Sequence, residues 1–137
     1  MKITVQQKRK IAKLAKNYNL KLLYLFGSFA RGDNHKNSDL DLAYERVNKK
    51  SFSLEEYVDF ETEIQKILKN KCELVDLVNI NNAPPLLLFG IAQDGILLYG
   101  TQKNDVLFYI KALHTYMDAR PLFNLTEKYV QEKIANI

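Results

Sequence analysis

The sequence predicts an α/β protein of the α+β kind: a small mixed β-sheet of about four strands packed with helices, followed by a C-terminal helical tail. Three observations predict it. Short apolar or alternating runs near 22–26, 39–47, 72–78 and 96–99 read as strands, and they are separated by longer stretches with apolar residues at helical spacing. Two of those stretches open on capping boxes, in which a side-chain oxygen and a glutamine or glutamate three residues later satisfy the first free N–H groups of a helix. After Gly100 only helical spacing is left. A length of 137 residues suffices for one real core, and 47% hydrophobic with 26% charged residues is ordinary for a globular chain. The expected division is a sheet-bearing domain over residues 1–100 and a helical extension over 101–137, packing on that domain or on a partner.

Taken in order, Thr4 and Gln7 form the first capping box, and Ile11, Leu14, Ala15 and Tyr18 follow as one stripe of an amphipathic helix. Its lysines belong to a basic opening segment (Lys2, Lys8, Arg9, Lys10, Lys13, Lys16, Lys21) that holds no acid. That segment is either a solvated helix face or a surface for nucleic acid or an acidic partner, and the net charge of +4 allows both. A first strand runs from Lys21 or Leu22 to Phe26 and stops at Gly27-Ser28, after which a short helix is expected over 29–32. The polar loop that follows, Gly32 to Ser38, contains His35 and Lys36; Arg31, in the short helix before it, either reaches a phosphate or braces the loop against an acid. Asp33, beside Gly32, reads as a turn residue.

The second strand spans about Asp39 to Val47. Ser53 and Glu56 make the second capping box, and Leu54, Tyr57, Val58, Phe60, Ile64, Ile67 and Leu68 carry a helical stripe to about Lys69, with its acids on the exposed side. The third strand, about Cys72 to Val78, holds Asp76 on one face and Glu73 on the other. Pro84-Pro85 suits a helix start, and a short apolar helix to about Gln93 ends before Gly95. Ile96 to Tyr99 is the fourth strand. In the tail, Val106, Tyr109, Ile110, Leu113 and Met117 form one stripe; Pro121 is expected to break that helix, and Asn124 with Glu127 to cap a last one. The single cysteine, Cys72, allows no internal disulfide and fits a reducing, cytoplasmic setting. No run approaches transmembrane length, and no cysteine or histidine pattern points to zinc.

Two short segments carry chemistry. A strand that ends in Gly27-Ser28 lets backbone and a hydroxyl approach an anion closely, although the same pair also makes an ordinary turn. Asp39 and Asp41 share one face of a strand, a disfavoured placement that a divalent cation would relieve; a solvated edge is the other reading. Asp76, alone in a buried-looking strand, needs a partner and completes a three-carboxylate cluster if its strand lies beside that of Asp39 and Asp41. Such a cluster suits two-metal phosphoryl displacement.

Gly27-Ser28, ten intervening residues, Asp39-x-Asp41 and a later strand aspartate at Asp76 resemble the nucleotidyltransferase superfamily of the DNA polymerase β type. The fuller wording, Gly27 to Gly32 followed by Ser38 to Ala43, is similar to its minimal nucleotidyltransferase (MNT) branch and to the antitoxins paired with HEPN-domain toxins, over roughly residues 5–100. The resemblance implies a polymerase β-like palm. Asp39, Asp41 and Asp76 would be the catalytic residues and the ligands of two Mg²⁺ ions, with Gly27 and Ser28 on the nucleotide. It further implies transfer of AMP from ATP to a tyrosine hydroxyl of a separate HEPN ribonuclease toxin. Two other functions stay open: an antitoxin that neutralises by binding through its helical tail without catalysis, and an aminoglycoside-type nucleotidyltransferase, for whose drug domain the residues after Gly100 leave little room. His114-Thr115-Tyr116 echoes the end of the HEPN nuclease motif, but positions 108–110 are Phe, Tyr and Ile where its arginine would stand.

Overall fold

The computed structural model describes residues 3–34, 38–69 and 74–136. His35, Lys36, Cys72 and Glu73 lie outside the described residues.

The first strand, β1 (Leu20–Phe26), is apolar at almost every position and is covered on both faces. It therefore takes the interior of the sheet, between β2 (Leu40–Arg46) and β4 (Ile96–Tyr99), and pairs antiparallel with both. β3 (Val75–Asn79) joins the free side of β2 in parallel, which gives the order β3-β2-β1-β4. The parallel pair needs a crossover, and it is supplied by α3 (Leu54–Ile67). The mixed four-stranded sheet expected from the sequence is the one observed, with β3 beginning at Val75.

Strand alternation sorts the core into two layers. Leu23, Leu25, Leu40, Leu42 and Leu77 face α1 (Val5–Asn17) and α3, where Ile11, Phe60 and Ile64 are fully buried. Each such side chain contributes about 1.5–3 kcal/mol by leaving water. Both helices start on the capping boxes at Thr4 and Ser53. Glu56 does more than solubilise: besides capping, it takes a two-pronged ion pair from Arg46 at the end of β2 (3.0 and 3.2 Å). The Ser53 backbone N–H, followed by Arg46, holds its carboxyl below the usual range.

The opposite face of the sheet carries Leu22, Tyr24 and Ala43, covered by Leu88 and Ile91 of α4 (Pro85–Asp94) and by Phe108 and Ala112 of α5 (Gln102–Ala135). The first turns of α5 are thus part of the core. Tyr24 donates its hydroxyl to Asp105 Oδ1 at 2.6 Å, and its ring packs on Phe108. Phe89 stacks on Tyr116 further along. One expectation is corrected here. α5 runs unbroken through Pro121, with no separate last helix capped at Asn124. A proline deletes a single helical hydrogen bond and crowds one carbonyl, which bends a helix whose two sides are both long enough to hold. Beyond it Leu122, Leu125, Tyr129 and Ile134 are exposed. Among the described residues no helix is long and apolar enough to cross a membrane.

Candidate active site

β1 leaves the sheet at Gly27, whose φ of 73° and ψ of −154° only glycine adopts readily. This bend starts α2 (Ser28–Arg31), one residue earlier than the sequence suggests, and Gly32 ends it in the left-handed conformation. The bend is tight because of what lies beside it: a methyl group at Gly27 would collide with the Asp41 carboxylate. The glycine-serine turn and the second aspartate of Asp39-x-Asp41 are therefore neighbours in space.

Register places the third acid. Asp41 pairs with Phe26 on one side and with Asp76 on the other, and residues opposed in neighbouring strands point to the same face. Asp39 stands just before β2, two residues from Asp41. Asp39 and Asp76 are exposed, whereas Asp41 is half-buried. Burial pushes the Asp41 carboxyl above its ordinary range, and the charges of Asp76 and Asp39 push it further; the Arg31 guanidinium pulls the other way. All three carboxylates are hard oxygen donors of the kind Mg²⁺ takes, and the like-charge repulsion felt at Asp41 is what a cation would remove. Among the described residues, however, no three acidic, histidine or cysteine side chains stand close enough together to hold a metal ion.

Beside Asp41 opens a cavity of about 620 Å³. Its sheet side is Phe26, Gly27, Ser28, Arg31 and Asp41; its other side is α4, with Pro84 leading into it. Asp41 lines the cavity and Asp39 and Asp76 do not. Of the two roles weighed from the sequence, Arg31 takes the bracing one, its Nε donating to Asp33 Oδ2 at 3.2 Å; it also borders the cavity within electrostatic reach of Asp41. Sequence reasoning gave α4 only as a short apolar helix and missed its contribution to this wall. The one available signal was Gly90, a helix-breaking residue inside an otherwise apolar helical run. The cavity thus joins a polar end at Gly27, Ser28, Arg31 and Asp41 to an apolar wall along α4.

The family model described as polymerase beta, nucleotidyltransferase, matches residues 9–104. The protein adenylyltransferase MntA of Shewanella oneidensis is 35% identical over 109 residues, which cover 78% of this chain and 75% of that protein. Among solved structures, a chain of a toxin–antitoxin complex with AMP-PNP superposes with a TM-score of 0.74 at 28% identity, covering 90% of this chain and 98% of that one. A chain from the complex of tri-AMPylated Shewanella oneidensis HEPN toxin with MNT antitoxin gives a TM-score of 0.69 at 25% identity, covering 92% and 97%. On the match over residues 9–104, the chain belongs to the polymerase beta nucleotidyltransferase family.

Proposed function

We propose that this chain is an antitoxin that acts as a protein adenylyltransferase, moving AMP from ATP to a tyrosine hydroxyl of a cognate HEPN ribonuclease toxin and so silencing it. The observation that carries this reading is the position of Asp41, set beside Asp76 by strand register and against Gly27 by the strand exit. The donor and acceptor follow from the similarity to MntA and to the complex that contains a tri-AMPylated HEPN toxin.

In this reading Gly27 and Ser28 bind the triphosphate, and Asp39, Asp41 and Asp76, not yet gathered into a metal cage, would close on Mg²⁺, two ions when fully loaded. Bound there, the metal would supply charge neutralisation during the displacement. The tyrosine oxygen forms a bond to the α-phosphorus, the bond to the β-phosphate oxygen breaks, and pyrophosphate leaves. A phenol attacks poorly as it stands, so Asp76, at the exposed end of the acidic face, draws off its proton. Arg31, at the cavity edge, steadies the phosphates. The nucleotidyltransferase unit corresponds to residues 1–100, and the extension 101–137 offers its outer half, with Leu122, Leu125, Tyr129 and Ile134 exposed, to the toxin.

That exposed half also favours a second reading, neutralisation by occlusion alone. The two separate in a toxicity assay in cells. Truncation after Gly100 would remove Phe108 and Ala112 from the core, so the shortened chain should end at Asp118. Catalysis predicts that Asp41→Asn abolishes protection. Protection that survives Asp41→Asn but fails on truncation after Asp118 would establish occlusion instead.

A further inference from the structure

Asp76 stands on β3, a strand of 5 residues at the edge of the sheet. The Leu40 N–H donates to the Leu74 carbonyl, so the backbone groups of alternate residues, Leu74 and Asp76, turn toward β2. Those of Val75 and Leu77 point outward, where the described residues supply no further strand. They are paired all the same. The Tyr57 hydroxyl of α3 donates to the Val75 carbonyl at 3.3 Å and accepts from the Leu77 N–H at 3.1 Å. One phenol thus takes the place of a neighbouring strand at the two residues that flank Asp76.

That phenol is itself fixed. Tyr57 closes the first turn of α3, next to Glu56, whose carboxylate caps the helix at Ser53 and takes the ion pair from Arg46 on β2. Its ring packs against the core layer in which Val75 and Leu77 are buried. Asp76 alternates to the opposite face, opposed to Asp41 across the β2-β3 pair. We propose that Tyr57 is a positioning residue for Asp76: by clamping the backbone on either side of it, the hydroxyl sets where the Asp76 carboxylate stands relative to Asp41. This rests on the nucleotidyltransferase reading proposed above. A strand bonded on one side only opens more readily than an interior one. A shift of about 1 Å at a catalytic group can cost about a hundredfold in rate. Asp41 needs no such support, since β2 is paired on both sides.

Tyr57→Phe keeps the ring and removes the clamp. The Leu77 amide should then exchange with solvent about tenfold faster or more, with the β1 amides unchanged. In adenylation of the toxin, kcat should fall about tenfold or more while KM for ATP stays within about twofold, because Gly27 and Ser28 are untouched. Mn²⁺, standing in for Mg²⁺, reports the carboxylates without turnover. Its affinity, read by electron paramagnetic resonance, should drop about fivefold in Tyr57→Phe, yet be equal in Asp76→Asn and in the double variant. An equally large loss in the Asp76→Asn background would make the hydroxyl a general structural support and overturn the proposal. Unchanged kcat and Mn²⁺ affinity in Tyr57→Phe would overturn it too. A wild-type protein that neither binds Mn²⁺ nor adenylates the toxin would instead overturn the parent reading, and this proposal with it.

Discussion

Gly27→Ala probes the joint between the phosphate turn and the acidic strand. Two separable effects act at this position. The backbone at φ 73°, ψ −154° belongs to a region almost closed to residues with a Cβ, and forcing alanine into it costs about 1–3 kcal/mol. The new methyl also runs into the Asp41 carboxylate, with its carbon 3.1 Å from Cγ and 3.3 Å from Cβ of that side chain. Displacing a side-chain end costs about a further 1 kcal/mol, as for modest overpacking. The sum, about 2–4 kcal/mol, is a large part of the stability of a typical domain. Urea denaturation of wild type, Gly27→Ala, Asp41→Ala and the double variant isolates the second effect. Asp41→Ala removes the obstacle and leaves the backbone strain, so the double variant should be more stable than additivity predicts by about 1 kcal/mol. Gly27→Ala within about 0.5 kcal/mol of wild type, or additivity within the same margin, would refute the proposed contact.

Further outcomes follow from the same geometry. Burial, with Asp76 and Asp39 nearby, raises the Asp41 carboxyl, and the proposed metal binding needs it ionised. Activity should therefore fall on acidification at a pH above the ordinary aspartate value of 3.8, while Asp41→Asn shows no activity to titrate. The sign for stability is opposite. A raised folded-state value means that protonation favours the fold, fully below 3.8 and less as pH rises through the raised value. Without metal, Asp41→Asn should thus raise Tm more at neutral than at acid pH, as measured by thermal melts across that range. Tyr24→Phe deletes the 2.6 Å hydrogen bond to Asp105 and should cost about 1–2 kcal/mol in denaturant. Amide exchange should speed first around residues 105–112 of α5, where the helix is tied to β1.

Much of this arrangement was legible because it is local. Thr4 with Gln7 and Ser53 with Glu56 announce two helices by spacing alone, and both boxes form. Leu22 to Phe26 stopping at Gly27 announces a buried strand and a sharp exit. The contributions that escaped reading are long-range. Nothing near Tyr24 in the chain reveals that Asp105 will accept its hydroxyl, or that Phe108 will cover its ring. Nothing near Glu56 foretells Arg46. Pro121 misled because a rule about one hydrogen bond was applied to a helix with many others on both sides. α4 is half core helix and half cavity wall, and apolar periodicity looks the same for both.

The most direct test of the central claim is the intact mass of the cognate HEPN toxin after incubation with this chain, ATP and Mg²⁺. The account predicts that the toxin gains the mass of one or more adenylates with the wild-type protein. It predicts no gain with Asp41→Asn, which circular dichroism should show to be folded. Adenylated toxin in the presence of folded Asp41→Asn would contradict it, and so would unmodified toxin with the wild-type protein.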